Sequence, residues 1–295
     1  MAKDMEALWN KYITTAPVQA KTINGQPFLY RYYRNPDPET DATLVILAGG
    51  TGAGDGFFCF NDELEGFCSF LTFNYPIGYR DNIETADAIA VLLRQLDCHN
   101  IWLFGQSYGG LLAQIIAARH PQCVHGMILS STISLSNDLQ YAGMHRIAQM
   151  VGEKKERKNK RIDRILPMKL IPKFMRLAVR KHTDDPGLRA QIDAVFNKVS
   201  GTFSREYFMH MDTLLGDLRN HIGVYQPREY AYLEDRILIF SQADDKTWTK
   251  DMVEAMYRFY PRAVKAPDLK GGHLVMFARP EAYFGILKDF IRTLN

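Results

Sequence analysis

The pentapeptide GQSYG at residues 105–109 constrains the fold of this chain more than any other stretch. Residues 100–104 before it are β-branched and aromatic, which predicts a buried strand. Residues 111–119 after it are apolar nearly all round and precede His120-Pro121, which predicts a buried helix. A serine raised on a tight strand-to-helix turn needs neighbours without a Cβ atom. The pattern predicts a serine nucleophile at the helix N-terminus, and the alternative is a serine that only caps the helix.

The apolar content fits a large folded core. The chain has 295 residues, of which 46% are hydrophobic and 23% charged, as in ordinary globular proteins. The first ten residues include three charged side chains and no apolar run, so we expect no secretory signal. Nowhere does an apolar run approach the roughly 20 residues of a membrane span. The four cysteines form no C-x-x-C pair and show no metal spacing, which predicts reduced thiols in a cytoplasmic protein without a metal.

Strand and helix signals alternate along most of the chain. Apolar runs at residues 43–48, 69–76 and 124–130 alternate with a helix predicted around residues 60–67, the helical pattern that begins at Asp81 and the turn at residues 105–109. This β-α-β-α-β order is typical of a mostly parallel α/β sheet with helices on both faces. Near the N-terminus, two strand-like runs flank Asn24-Gly25, which predicts a β-hairpin.

The rhythm stops between residues 134 and 234, where the pattern is helical and rich in Met, Phe, Arg and Lys. It resumes with a strand at residues 236–240, a helix near 251–260, an extended piece at 262–266 and a last helix at 280–294. We therefore predict a core of residues 1–133 and 234–295, with residues 134–233 inserted as a helical cap.

A serine hydroxyl needs a histidine base and a carboxylate that orients it. In folds of this kind the order along the chain is serine, acid, histidine. Asp244 and Asp245 both follow the strand at residues 236–240, and composition does not separate them from each other or from solvated turn residues. Of eight histidines only His273 lies beyond them, directly after two glycines that let its loop approach closely.

The glycine-rich loop at residues 49–54 follows the apolar strand at 43–48. It could be a flexible loop, or it could bind phosphate. The second interpretation is weak, because no Lys-Ser/Thr follows and no acidic residue lies after a second strand, as nucleotide motifs require. No cofactor is therefore expected. A glycine loop upstream of such a serine turn also supplies backbone N–H groups that bind an oxyanion.

These motifs resemble those of the α/β-hydrolase superfamily, over the sheet-forming parts and not the cap. Members place the acid at strand-G-x-x-D; with Ser241 in place of the glycine, the resemblance puts Asp244 in register and leaves Asp245 second. It gives Ser107 and His273 the roles of nucleophile and base. The oxyanion loop usually reads His-Gly-x, whereas this chain has Ala48-Gly49-Gly50. The resemblance still implies that the backbone N–H groups of Gly50 and Tyr108 bind the oxyanion.

Within the superfamily the chain resembles maspardin-like proteins through LAGGTG at residues 47–52, LFGQS at 103–107 and MYRFYP at 256–261. With these triad residues, the leading hypothesis is a serine hydrolase of an ester, thioester or related acyl bond, and the Met- and Phe-rich cap predicts a partly apolar small-molecule substrate. An acyltransferase or a carbon–carbon hydrolase would use the same triad. A non-catalytic binding protein is the alternative of another class, because some proteins of this branch lack the terminal histidine, which this chain has.

The positive charge is concentrated in one segment. Residues 153–181 hold 12 Lys/Arg against 3 Asp/Glu, whereas the whole chain has a net charge of +3. A solvated cap face with an apolar side over the active site is the favoured interpretation. Weak contact with an anionic membrane is the second, and attraction of an anionic substrate or nucleic acid is the third. No nucleic-acid motif is present, so a small-molecule acyl substrate is the expected partner.

Overall fold

The computed structural model describes residues 4–136, 152–165, 167 and 170–294. A single sheet of eight strands runs in the order β1-β2-β4-β3-β5-β6-β7-β8. Its strands are β1 (Val18–Ile23), β2 (Gln26–Tyr33), β3 (Thr43–Leu47), β4 (Ser69–Thr72), β5 (Ile101–Gln106), β6 (Gly126–Ser130), β7 (Ile237–Phe240) and β8 (Val264–Lys265). The β1–β2 and β2–β4 pairs are antiparallel and the other pairs are parallel. The predicted α/β-hydrolase fold with a mostly parallel sheet is confirmed.

Helices cover the sheet and make up most of the described part of the connection between β6 and β7. Those before β7 are α1 (Met5–Thr15), α2 (Asn61–Leu64), α3 (Asn82–Gln95), α4 (Tyr108–Arg119), α5 (Glu153–Ile165), α6 (Ile171–Arg180), α7 (Pro186–Val199) and α8 (Arg205–Asp217). Those after it are α9 (Lys250–Phe259), α10 (Val275–Ala278) and α11 (Pro280–Leu294). Short 3-10 helices occur at Gly54–Phe60, Pro121–Cys123, Ser200–Thr202, Leu218–Asn220, Pro227–Leu233 and Gly272–Leu274.

The core lies on both faces of the central strands. Every residue of β3, β6 and β7 is buried, which accounts for their continuous apolar sequences. Helix α4 is buried along nearly its whole length, as its apolar composition predicts. Trp102 on β5 is fully buried and packs edge-on against Phe290 of α11, so the last helix closes one face of the sheet.

Of two local predictions, the structure confirms one and contradicts the other. The hairpin forms as predicted, with Asn24 and Gly25 at positive φ between β1 and β2. The helix predicted around residues 60–67 is wrong in extent, because the chain forms a 3-10 helix over Gly54–Phe60 and then only four residues of α-helix. Glu65 leaves α2 with ψ 137° and Gly66 has φ +75°, so the helix cannot continue.

The parallel strands direct several connecting loops to one edge of the sheet. β3, β5 and β7 end before the glycine loop, the serine turn and the two aspartates, and His273 lies in the loop beyond β8. Ligands of open α/β sheets bind at this carboxyl edge. Between β6 and β7 the described residues form helices, and the division of the chain into a core and a separate cap stays a prediction. Within the described ranges, no helix has the length and apolarity needed to cross a membrane.

Candidate active site

Ser107 lies between β5 and α4 in a strained backbone conformation, with φ 52° and ψ −117°. A non-glycine residue at positive φ is unfavourable and persists only where the surroundings hold it. Here the Ser107 N–H donates to the Ser130 carbonyl at 2.9 Å, and the Thr132 hydroxyl donates to the Ser107 carbonyl at 2.7 Å. The turn is therefore fixed from both sides by the end of β6.

The glycines on either side of Ser107 are required by contact distances. A Cβ at Gly105 would lie 2.5 Å from the carbonyl oxygen of Gly109, and a Cβ at Gly109 would overlap the carbonyl of Leu47. Both positions are closer than real Cβ atoms approach, so a larger residue would force the backbone apart. The G-x-S-x-G spacing thus reflects the packing of the strand, the turn and the helix against β3.

His273 is paired with Asp245. The distance between His273 Nδ1 and Asp245 Oδ2 is 2.8 Å, and both side chains are buried. The carboxylate that hydrogen-bonds His273 is therefore Asp245, the second candidate. Asp244, to which the family register assigned the role, does not make this bond. Asp244 instead accepts the backbone N–H of Gly272 at 3.0 Å, so it supports the loop that carries His273 without contacting the ring through that bond.

The turn after β7 explains why the second aspartate faces the histidine. The Asp245 N–H donates to the Gln242 carbonyl at 3.1 Å, and Asp245 Oδ1 accepts the Thr247 N–H at 2.8 Å. These bonds direct Oδ2 toward His273. The Gln242 side chain also accepts the Leu269 N–H at 2.6 Å, which ties this turn to the histidine loop.

Burial and hydrogen bonding act in opposite directions on Asp245. Burial alone would raise the pKa of the Asp245 carboxyl, but the hydrogen bond and charge of His273 and the bonds from Thr247 hold that pKa below its ordinary value. Asp245 is therefore ionised at neutral pH and accepts the Nδ1–H of His273. In neutral His273 this leaves Nε2 as the unprotonated nitrogen, which is the tautomer a general base needs.

Ser107 and His273 line one cavity of about 640 Å³. Its volume is within the range of small-molecule sites. Gly49 and Gly50 of the glycine loop also line it. Most of the remaining wall is apolar and comes from the 3-10 helix before α2, from α7, α8 and α10; it includes Phe57, Val195, Phe196, Phe208, Met211 and Phe277.

Of the two residues expected to supply backbone N–H groups, Gly50 lines the same cavity as Ser107, and Tyr108 follows Ser107 in the chain. Gly50 lines the cavity, and a Cβ there would be 3.7 Å from Leu215 of α8. Tyr108 is the first residue of α4, so its N–H is among the four that a helix does not bond internally. The buried Tyr108 hydroxyl donates to Asn82 Oδ1 at 2.7 Å, which anchors this side chain away from the cavity.

A second group of residues near the histidine was missed by sequence reasoning. The His182 ring stacks on the His273 ring with 4.6 Å between centroids and 29° between planes. Trp248 lies 6.0 Å from the His273 ring, and its Nε1–H donates to the Ser131 carbonyl at 2.6 Å. No motif marks these positions, because His182 lies in the connection between β6 and β7, 91 residues before His273.

The basic segment maps onto α5, α6 and the residues around them. Lys160 and Arg180 of this segment are paired: Lys160 donates to Glu156 at 2.7 Å, and Arg180 pairs with Asp193 at 2.5 Å. Glu156 also accepts from Arg219, outside the segment, at 2.6 Å. Ile165 is 75% exposed at the end of α5. Leu166 and residues 168–169 of this segment lie outside the described residues. Contact of this face with an anionic membrane stays a prediction.

Among the residues that the structure describes, no group of three His, Cys, Asp or Glu side chains is placed to hold a metal ion.

Comparison with known proteins agrees with this fold. A family model described as "alpha/beta hydrolase fold" matches residues 42–280. Maspardin from Danio rerio is 21% identical over 276 residues, covering 92% of this chain and 81% of that protein. Maspardin from Homo sapiens is 23% identical over 240 residues, covering 80% and 70% of the two chains.

Solved structures show the same fold at low identity. An esterase from Exiguobacterium antarcticum superposes with a TM-score of 0.69 at 16% identity, covering 93% of this chain and 99% of the other. MenH from S. aureus superposes with a TM-score of 0.69 at 15% identity, covering 90% and 98%. At these identities the likeness establishes the fold.

Proposed function

Because this chain belongs to the α/β-hydrolase fold family, and that family supports a hydrolase-type function, we propose that it is a serine hydrolase of an ester, thioester or related acyl bond. Ser107 is the nucleophile, His273 the general base and acid, and Asp245 the carboxylate that orients the imidazole. The backbone N–H groups of Gly50 and Tyr108 bind the oxyanion. The observation that carries the proposal is the His273–Asp245 hydrogen bond at the wall of the cavity that Ser107 also lines.

The proposed reaction has two halves. His273 takes the hydroxyl proton as Ser107 attacks the acyl carbonyl, and the oxyanion forms opposite the N–H groups of Gly50 and Tyr108. The protonated imidazole then gives its proton to the leaving alcohol or thiol. In the second half, water attacks the acyl-enzyme, His273 takes its proton, and the serine hydroxyl is restored as the acid leaves.

The cavity supports a substrate with an apolar acyl part. Its phenylalanine, valine and methionine side chains offer few hydrogen-bonding groups, and Ser107 and His273 lie in the same wall. A methionine such as Met211 also adapts to ligands of different shape. We therefore expect turnover of p-nitrophenyl esters to rise from acetate to medium acyl chains, as apolar contact increases.

The test is labelling with a fluorophosphonate followed by peptide mapping, together with p-nitrophenyl ester turnover. Ser107→Ala should abolish labelling and lower turnover by about 10⁴- to 10⁶-fold. Ser241→Ala is the matched control, because this serine follows β7 and hydrogen-bonds the Tyr257 hydroxyl at 2.8 Å. It should label normally.

Three outcomes would change the proposal. Labelling at a residue other than Ser107 would refute the assignment of the nucleophile. Product trapped as a new ester when an alcohol is added would favour an acyltransferase. Absence of both labelling and turnover at every acyl length would favour a non-catalytic binding protein that uses the same cavity.

A further inference from the structure

We propose that His182 is a positioning residue that holds the His273 imidazole in place from the helical insertion, an inference that rests on the proposed function. His182 comes two residues after α6, outside the strands and loops that carry the serine, the acid and the base. It contacts the loops of the base and the acid through two separate interactions, a ring stack on His273 and a hydrogen bond to Thr247.

The stack covers one face of the His273 ring. A centroid separation of 4.6 Å with an interplanar angle of 29° is within the range of favourable aromatic pairs. The hydrogen bond between Nδ1 and Asp245 holds the His273 ring at one point. The ring can still rotate about the bonds of its side chain, and the stack restricts that rotation. A ring against its face therefore limits the directions in which Nε2 can point.

The hydrogen bond connects His182 to the carboxylate that orients His273. His182 Nδ1 lies 3.2 Å from Thr247 Oγ1. Thr247 in turn bonds Asp245, because its backbone N–H donates to Asp245 Oδ1 at 2.8 Å. With the His273–Asp245 hydrogen bond and the ring stack, the four residues form a closed ring of contacts.

His182 is itself well supported. Its N–H donates to the Val179 carbonyl at 3.1 Å, which continues the last turn of α6. The next residue is held by Arg189 of α7, whose Nε donates to the Thr183 carbonyl at 3.0 Å. A Cβ on Gly272 would lie 3.6 Å from the His182 carbonyl, so the two loops touch at their backbones.

The charge state of His182 suits this role. Burial lowers the pKa of His182 to about 4, and the charge of His273 acts in the same direction. His182 is therefore neutral at neutral pH and adds no positive charge beside the imidazolium that forms on His273 during the reaction. A neutral ring can stack on that cation, whereas a second cation would oppose it.

Three substitutions separate the two interactions. His182→Phe keeps a ring but loses the hydrogen bond to Thr247, His182→Asn keeps a hydrogen-bonding group near the same place but loses the ring, and His182→Ala loses both. We expect kcat for a p-nitrophenyl ester to fall about 10-fold in the alanine variant and about 3-fold or less in the phenylalanine variant, with the asparagine variant between them. KM should change less than about 2-fold, because the proposed role is to orient the base.

A second measurement does not depend on activity. In protein labelled with ¹⁵N-histidine, the Nδ1–H of His273 should give a proton resonance well downfield that is absent in His273→Gln. It should broaden by exchange with water in His182→Ala and persist in His182→Phe. Thermal unfolding checks that each variant is folded. If the alanine variant does not fold, the phenylalanine variant, which preserves the volume of the ring, still tests the hydrogen bond.

The outcomes separate the two proposals. If wild type turns over no ester but the resonance broadens in His182→Ala and persists in His182→Phe, the proposed function fails and the positioning role stands. If wild type is active and the alanine variant retains both kcat and the resonance, the positioning role is wrong. A rise in KM with unchanged kcat would also overturn it, because His182 would then contact substrate and not orient the base.

Discussion

Replacing each aspartate after β7 by asparagine tests the pairing seen in the structure. In Asp245→Asn, the Thr247 N–H still requires an acceptor at Oδ1, where it now donates to Asp245 at 2.8 Å. The amide oxygen therefore occupies that position, and Nδ2 takes the place of Oδ2 facing His273. A donor there requires an unprotonated Nδ1, so the proton moves to Nε2. His273 can then no longer accept the Ser107 proton.

The expected magnitude follows from the wrong tautomer. An aspartate-to-asparagine change of this kind in a serine protease lowers kcat by about 10⁴-fold, and we expect about 10³- to 10⁴-fold for Asp245→Asn. The substitution is nearly isosteric, so the fold and the cavity should be retained. The assay is p-nitrophenyl ester turnover, with thermal unfolding to show that the variant is folded.

Asp244→Asn is the matched control. Asp244 Oδ1 accepts the Gly272 N–H at 3.0 Å, and an asparagine oxygen can accept the same bond. We expect kcat within about 3-fold of wild type, since one hydrogen bond of this kind contributes about 1 kcal/mol. If Asp244→Asn lost the larger activity and Asp245→Asn kept it, the orientation of the two carboxylates derived above would be refuted.

Four further substitutions test the fold. Gly109→Ala should lower the unfolding free energy by about 3 kcal/mol or more, because the new Cβ has no room. Gly285→Ala in α11 has open space around it and should raise the unfolding free energy by about 0.5–1 kcal/mol. Urea unfolding measures both changes. Tyr108→Phe should lower the unfolding free energy by about 1–2 kcal/mol, because Asn82 Oδ1 loses the phenol that donates to it. It should keep ester turnover within about 3-fold of wild type, since the proposed oxyanion donor is the backbone N–H. Burial alone would raise the pKa of Asp217, but its hydrogen bonds, including the Asn82 N–H, hold that pKa well below the ordinary value. This carboxylate therefore stabilises the fold above about pH 4 and progressively less as pH falls, and the unfolding free energy of Asp217→Asn should decrease less between pH 7 and pH 3.5 than that of wild type.

The sequence was sufficient for the elements whose local pattern agrees with their environment. Continuous apolar runs gave β3 and β6, which are covered on both faces, and Asn24-Gly25 gave the hairpin. The order of strands across the sheet was not predictable. β2 pairs with β4, although β3 lies between them in the chain, and that choice depends on which edge remains open after the parallel strands assemble.

The same distinction applies to the site. The serine turn carries its own steric signature, because Gly105 and Gly109 are required by contacts that any sequence with this turn must satisfy. The stacking of His182 on His273 carries none, since it depends on how α6 ends above the sheet. The local sequence around a histidine in a long helical stretch is the same whether its side chain faces solvent or the ring of another histidine.

The choice between Asp244 and Asp245 shows why a register rule can fail by one residue. Counting from the end of β7 assumes a fixed backbone path, and in the family pattern a glycine opens that path. Here Ser241 stands at the glycine position and its hydroxyl hydrogen-bonds Tyr257 at 2.8 Å. The chain then turns through the bond from Asp245 N–H to the Gln242 carbonyl, and successive side chains leave the turn in different directions. A count along the sequence locates the turn, but the hydrogen bonds within it determine which carboxylate reaches the histidine.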